Sequence, residues 1–224
     1  MKTCHIFCAG GFNGLLESPA PADLILAADG GLRHTEALGL TPHRILGDFD
    51  SLGYVPRGGT VFPVEKDDTD SMLAVRMGLK EGCGRFLVYG GLDGPRLDHT
   101  VANFQTLAWL ASHGAQGYLV GLTYLAAVLP PGYVRFGSGA EGIFSMFCLG
   151  QPVTGLTIRG LQYPLQNHTL TSDFPLCVSN HFLGRPSEIS WESGQPLLLW
   201  DRANGLPVYT FGKGELAPHG TEEA

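Results

Sequence analysis

Apolar and polar positions come in alternating blocks along the first half of the chain. The runs CHIFCAG, DLILAADGG, RILGDFD, TVFPV, RFLVYGG and QGYLVG are short and apolar, and most end in glycine or aspartate, so each is predicted to be a buried strand. Segments of helical period lie between them. LRHTEALGL predicts a short helix, with Gly39 near its end and Pro42 just beyond. DTDSMLAVRMGLKEG predicts a longer one, in which Leu73, Met77 and Leu79 form an apolar side and Gly82 a stop. DHTVANFQTLAWLASHG predicts a third, ending at Gly114. Strand alternating with helix is the pattern of a parallel sheet with helices on its faces.

The rhythm changes after about residue 124. No long helical period follows, and the short apolar runs IFSMFCL, GLTIRGL, PLCVSN, EISWE and PLLLW are separated by Gly, Pro, Asn and Ser. Evenly spaced short strands of this kind predict a sandwich or barrel. The expected fold is a Rossmann-like parallel α/β domain over residues 1–130 followed by an all-β sandwich domain over residues 131–224, with the boundary near Pro130–Pro131. The chain carries no internal repeat and no low-complexity segment.

Composition narrows the function classes. A chain of 224 residues, 44% hydrophobic and 16% charged, has room for a proper core and is not disordered. A formal net charge of −7 argues against general affinity for nucleic acid or an anionic membrane. It leaves room for an anionic ligand, because a divalent cation inverts the local field. The five cysteines, Cys4, Cys8, Cys83, Cys148 and Cys177, are scattered and odd in number, which fits free thiols in a reducing compartment. The opening MKTCHIFCAGG is too short an apolar stretch for a signal peptide, and no run approaches the roughly 20 apolar residues of a spanning helix. The expectation is a cytoplasmic protein.

Chemistry gathers where the predicted strands end. In a sheet of this kind ligands bind in the crevice beyond the carboxyl ends of the strands. The first strand ends in Gly10-Gly11-Phe12-Asn13-Gly14, the second in Asp29-Gly30-Gly31 and the third in Gly47-Asp48-Phe49-Asp50-Ser51. The RFLVYGG strand ends in Gly90-Gly91, with Asp93, Arg96, Asp98 and His99 close behind. Turn chemistry explains one such end easily and all of them at one edge poorly. Asp48 and Asp50, two apart in an extended segment, fall on one side and repel unless a cation lies between them. Magnesium takes oxygen ligands, commonly one or two carboxylates plus substrate phosphates, so this pair is the candidate metal site. Asp29 or Asp98 would then orient coordinated water.

The segment EKDDTDSMLAV adds a second acidic cluster. Asp68 or Thr69 is positioned to cap the helix. Lys66 is a cation at the mouth of an acidic cleft, within reach of a phosphate, and Arg96 offers a planar bidentate head for the same purpose. His99 lies in the first turn of the third helix, as a structural residue or as a ligand.

Taken in order, ADGG (Ala28–Gly31), GDFDS (Gly47–Ser51), KDDTD (Lys66–Asp70) and RLDHTVAN (Arg96–Asn103), with GLQYPL (Gly160–Leu165) and VSN (Val178–Asn180) in the second half, resemble the motifs of thiamine pyrophosphokinases. The resemblance spans most of the chain and implies an α/β domain that binds ATP and magnesium, and a β-sandwich domain that binds thiamine and forms a homodimer. It implies transfer of a pyrophosphoryl group from ATP to the thiamine hydroxyl, with release of AMP. It further implies metal and phosphate roles for Asp48 and Asp50 and substrate contacts for Asp29, Asp70 and Asp98, and it puts Ser179 and Asn180 near the thiamine pyrimidine. Gly30, Ser51, Lys66, Asp67, Thr69, Gly91, Arg96, His99 and Asn103 lie in the same motifs and are further candidates for ligand contact. Either Asp98 or Asp70 is the expected proton acceptor. Phe182 or Trp191 is the expected apolar face for the thiamine rings. Two departures from the family pattern stand out: Asp93 and Pro95 in GGLDGPRLD, where a plainer glycine-rich turn is expected, and the segment Leu119–Tyr124, which lacks the acidic residue and the asparagine expected at that strand end and leaves Thr123 as a candidate. A metal-dependent phosphohydrolase and a non-catalytic nucleotide or thiamine sensor are the competing readings of the same residues.

Overall fold

The computed structural model describes residues 1–50, 52–62 and 68–212. The strands are β1 (Thr3–Phe7), β2 (Leu24–Ala28), β3 (Arg44–Gly47), β4 (Gly59–Val61), β5 (Arg85–Tyr89), β6 (Gln116–Val120), β7 (Tyr124–Val128), β8 (Gly132–Phe136), β9 (Ile143–Cys148), β10 (Val153–Arg159), β11 (Leu165–Leu170), β12 (Cys177–His181), β13 (Ser187–Trp191), β14 (Pro196–Asp201) and β15 (Val208–Phe211). The helices are α1 (Leu32–Ala37), α2 (Asp70–Lys80) and α3 (Leu97–Ser112). Every strand and helix expected in the first half is present.

Ten strands form one mixed sheet in the order β12-β9-β14-β7-β6-β5-β1-β2-β3-β4, and five form a second, antiparallel one in the order β11-β10-β13-β8-β15. Strands β1 to β6 pair in parallel, and β7, β14, β9 and β12 continue the same sheet antiparallel. The expectation of a parallel sheet followed by a separate sandwich is therefore realised in a coarser form. It is a mixed sheet with few helices, backed over part of its length by a second, wholly antiparallel sheet. Strands from beyond residue 130 lengthen the first sheet because their apolar residues need its exposed edge as much as they need each other.

Burial explains the layering. Along β1 all five residues are buried, so both faces of the strand are covered, as a central parallel strand requires. Cys4 and Ile6 face Ala74 and Val75 of α2 and Leu107 and Leu110 of α3, in one core. Phe7 faces the other way, into a core shared with Phe136, Phe144, Trp191 and Trp200 that joins the two sheets. In β8 and β13 burial alternates strictly, as expected of strands with one covered face.

A buried histidine sits in this frame. His5 is 1% exposed, stacks parallel to Tyr89 at 6.2 Å and lies 3.4 Å from Asp23 through Nε2. Burial pulls its pKa below the ordinary value of 6.5, against the opposing pull of Asp23. The neutral imidazole is thus favoured in the folded state. The stability it supports is complete above pH 6.5 and is lost as pH falls through the lowered value. Denaturant midpoints measured from about pH 7 down to about pH 5 should fall for the parent and fall less for His5→Phe. Equal slopes would remove His5 as the source.

Candidate functional site

The parallel strands leave β1 in two directions, β2-β3-β4 to one side and β5-β6 to the other. At such a reversal the loops beyond the strand ends part and open a crevice. A cavity of about 550 Å³ lies there, walled by Cys8–Gly10 after β1, Ala28 at the end of β2 and Asp29 after it, Asp48 and Asp50 after β3, and Gly90, Gly91 and Gly94–Arg96 after β5. The start of α2 with the residues before it (Asp68–Ser71) and the first two turns of α3 (His99, Thr100 and Asn103) close the remaining side.

Three carboxylates converge on one wall. Oxygens of Asp29, Asp48 and Asp50 lie within 4.8 Å of one another. The segment 48–50 is a turn and not the extended strand expected from the sequence. Phe49 has φ 61°, and the Asp50 N–H donates to Asp48 Oδ1 at 3.2 Å. The Phe49 ring is 3% exposed and packs with Ala27, Leu32 and Leu52, which fixes the turn from below. Two glycines permit the crowding. A Cβ on Gly31 would strike the Phe7 carbonyl, and one on Gly47 would lie 3.1 Å from Asp29 Cβ. The ADGG and GDFD motifs thus have a steric reason: the chain after β2 passes over the end of β1 and against β3.

Both long helices direct their N-termini at the cavity, where unpaired N–H groups and the helix dipole favour anions. Thr69 caps α2 by accepting the Met72 N–H at 3.2 Å, so of the two caps expected, Thr69 serves. Asp68 instead pairs with Arg76 at 3.1 Å. At α3, Arg96 holds Asp98 in a two-point contact, Nη2 to Oδ2 at 2.5 Å and Nε to Oδ1 at 3.2 Å. Arg96 keeps the Asp98 carboxyl below the usual carboxylate range. Asn103, 7% exposed, joins Ser71 to the Gly91 carbonyl. Cys8 lines the cavity as a thiol, since burial pushes its pKa up to about 12.

The candidates from the sequence divide clearly. Asp29, Asp48, Asp50, Thr69, Asp70, Gly91, Arg96, His99 and Asn103 all line the cavity. Gly30 is buried in the turn beneath Asp29. Ser51, Lys66 and Asp67 lie outside the described residues. Ser179 and Asn180 are on β12, at the far edge of the sheet from β4. Eight strand spacings separate β12 from β3, on the order of 40 Å.

Asn180 is 4% exposed, and its amide is engaged at home. Oδ1 accepts the N–H groups of Tyr163 and His181 at 2.9 Å each, and Nδ2 donates to the Tyr163 carbonyl at 2.8 Å. That grip presents Tyr163, 58% exposed. The expectation that Phe182 or Trp191 offers the apolar face is corrected: they are 6% and 3% exposed, locked into the core between the sheets. Tyr163 lies within GLQYPL but was not among the candidates, because only the hydrogen bonds across to Asn180 single it out.

The departures also acquire structural roles. The Asp93 carboxylate accepts the Leu122 N–H at 2.6 Å, and its main-chain carbonyl accepts the Gly11 N–H at 2.9 Å. Asp93 therefore ties together the loops after β1, β5 and β6. The Thr123 carbonyl accepts the Arg202 N–H at 2.8 Å, so it holds the end of β14.

Comparison with known proteins gives the same answer for both halves of the chain. Residues 17–119 match the profile of the thiamin pyrophosphokinase catalytic domain, and residues 137–196 that of the thiamin pyrophosphokinase vitamin B1 binding domain. The thiamine pyrophosphokinase of Bacillus subtilis (strain 168) is 26% identical over 206 residues, covering 87% of this chain and 96% of that protein. Its crystal structure superposes with a TM-score of 0.79 at 24% identity, over 89% of this chain and 99% of that one. A thiamin pyrophosphokinase family protein from Enterococcus faecalis gives 0.73 at 25% identity, over 90% and 99%. The thiamin pyrophosphokinase of Candida albicans gives 0.70 at 15% identity, over 89% and 88%. With a family profile on each side of residue 130 and a relative aligned nearly end to end, the chain belongs to the thiamine pyrophosphokinase family.

Proposed function

We propose that this protein transfers the pyrophosphoryl group of ATP to the hydroxyl of thiamine, giving thiamine diphosphate and AMP. The observation that carries the reading is the convergence of Asp29, Asp48 and Asp50 opposite two helix N-termini in one cavity. Three hard oxygen donors suit magnesium, with Asp48 and Asp50 as ligands and Asp29 beside them. Magnesium bound there would neutralise charge on the phosphate oxygens. The chain's own contribution is placement: glycine main chain and the first turns of α2 and α3 receive the polyphosphate, and Arg96 adds a bidentate cation. Asp70 is the better proton acceptor for the thiamine hydroxyl. It lines the cavity, whereas Asp98 does not and is held ionised and weakly basic by Arg96.

In this reading residues 1–130 carry ATP and magnesium, and residues 131–224 carry thiamine recognition and dimer formation. Tyr163 supplies a ring face for thiamine, Ser179 a hydroxyl beside it, and Asn180 orients Tyr163. A separation of about 40 Å within one chain is too great for one thiamine to span, so the two halves of the site come from two copies. Helices α2 and α3 cover only part of their face of the long sheet. Beyond α3, Phe147 of β9 and Leu149 just after it, with Leu197 and Leu199 of β14, join Val101, Phe104 and Ala108 of α3 around an apolar groove of about 1000 Å³. A two-fold partner laying its own α3 over this bare half would bring its β12 edge toward the cavity. The free thiols of all five cysteines support a cytoplasmic setting.

Chromatography of nucleotides after mixing protein, thiamine, ATP and magnesium tests the reaction. AMP equimolar with thiamine diphosphate is expected; stoichiometric ADP, or hydrolysis without thiamine, would refute it. Asp48→Asn and Asp50→Asn each keep the shape and remove one charge, and each should lower turnover about a hundredfold or more. Near-parent turnover at saturating magnesium would displace the metal assignment.

Sharing between copies has its own test. An Asp48→Asn chain mixed with a Tyr163→Ala chain, at thiamine concentrations where neither works alone, should recover activity. One site of the mixed dimer collects both defects and the other neither. Mixed dimers that form without recovery would count against a shared site.

A further inference from the structure

We propose that Ser71 and Asn103 are positioning residues for the nucleotide polyphosphate, acting through a one-way hydrogen-bond chain that locks the first turn of α2 to the Gly90–Gly91 loop. The inference rests on the cavity being the nucleotide site.

The polarity of the chain is fixed by proton counting. The single hydroxyl proton of Ser71 goes to Asn103 Oδ1 at 2.7 Å. The contact of Ser71 Oγ with Thr69 Oγ1 at 3.0 Å is therefore donated by Thr69. Thr69 Oγ1 in turn accepts the Met72 N–H at 3.2 Å. At the other end Asn103 Nδ2 donates to the Gly91 carbonyl at 2.7 Å. A carbonyl cannot donate to a carbonyl, so the amide has one possible orientation. Bonds aligned head to tail in a partly buried setting polarise and strengthen one another.

What the chain connects is more informative than its strength. Thr69, Ser71, Asn103 and Gly91 all line the cavity, and Asp70 lies between two of the links. Gly91 is fitted closely to the amide, since a Cβ there would lie 3.2 Å from Asn103 Nδ2 and 3.1 Å from a Leu119 methyl. Gly90 beside it has φ 68° and accepts the Gly10 N–H at 3.0 Å, which carries the restraint on to the loop after β1. Farther from the cavity α2 and α3 contribute apolar side chains to one core, Ala74, Val75, Leu107 and Leu110. The Arg76 guanidinium of α2 also lies over the Trp109 ring of α3, 5.3 Å from its centroid. Among the described residues the side-chain hydrogen bond between the two helices, from Ser71 to Asn103, lies at the cavity end, where main-chain positions decide how phosphates are received.

The experiment compares the parent with Ser71→Ala, Ser71→Thr and Asn103→Leu. Calorimetry with the magnesium complex of a non-hydrolysable ATP analogue gives nucleotide affinity, steady-state kinetics give separate KM values for ATP and thiamine, and thermal unfolding reports folding. Ser71→Ala and Asn103→Leu should weaken analogue binding and raise the ATP KM about tenfold, with the thiamine KM within about twofold of the parent. Ser71→Thr, which keeps the hydroxyl, should restore both. A folded Ser71→Ala with parent affinity for the analogue would overturn the proposal, even if its melting temperature fell. A parent that binds the analogue but forms no AMP would refute the proposed reaction, while the affinity comparison would still decide the role of Ser71. A parent that does not bind the analogue would overturn this inference together with the nucleotide site.

Discussion

Like charges do not assemble unaided, and three carboxylates with oxygens within 4.8 Å of one another raise each other's free energy. The main chain brings them together. Phe49 adopts φ 61°, a conformation that costs a bulky residue on the order of 1–3 kcal/mol. Burial of its ring among Ala27, Leu32 and Leu52 returns a similar amount, about 1.5–3 kcal/mol. The turn is therefore held by an apolar anchor underneath while its two aspartates face the cavity. With negative charge fixed after β2 and β3, an anionic substrate has to be received from the other side of the reversal point. There the N-termini of α2 and α3 present N–H groups, beside the loops after β1 and β5 that are tied together by the Gly10 N–H on the Gly90 carbonyl.

A single long sheet sets the distances. Because β7, β14, β9 and β12 continue the sheet begun by β1 to β6, the β12 edge cannot fold back over the acidic cleft of its own chain. The second sheet covers one face of this extension, and the core of Phe136, Phe144, Phe182 and Trp200 binds the two layers. The other face carries Phe147, Leu197 and Leu199 beside α3. Under the proposed function a two-fold partner would cover this apolar half-face and supply its own β12 edge to the cleft.

The first half of the fold and the acidic wall were legible in the sequence because their causes are local. Strand runs, glycine stops and the cap at Thr69 depend on neighbours within a few residues. Asp48 and Asp50 were legible for the same reason, although the turn through Phe49 was not, since it depends on packing against Leu32. Asn180 illustrates what sequence could not give. Its side chain reads as a ligand contact until the partner seventeen positions back, Tyr163, is seen to use both ends of the amide. Phe182 and Trp191 failed in the opposite direction: an aromatic near a motif does not declare whether it faces a ligand or the core. The continuation of the long sheet past residue 130 was hidden because pairing between β7 and β14 joins segments about seventy residues apart.

The cleft combines two kinds of polar contact with different consequences. Asn103 is buried, and its bonds to Ser71 and Gly91 have little competition from water, so the main-chain frame is set before any ligand arrives. The Arg96 and Asp98 side chains are 66% and 64% exposed, and an ion pair in that position is readily exchanged for another. In the proposed reaction a polyphosphate entering the cavity would offer Arg96 an anion of higher charge. Were Arg96 to turn toward it, the influence that holds the Asp98 carboxyl low would be withdrawn, and that group would become more basic. The charge distribution at the head of α3 would then depend on whether the nucleotide is present, while the placement of Asp70 and the glycine loop would not. In that reading rigidity lies in the backbone around the cavity and exchangeability in the exposed cation at its mouth.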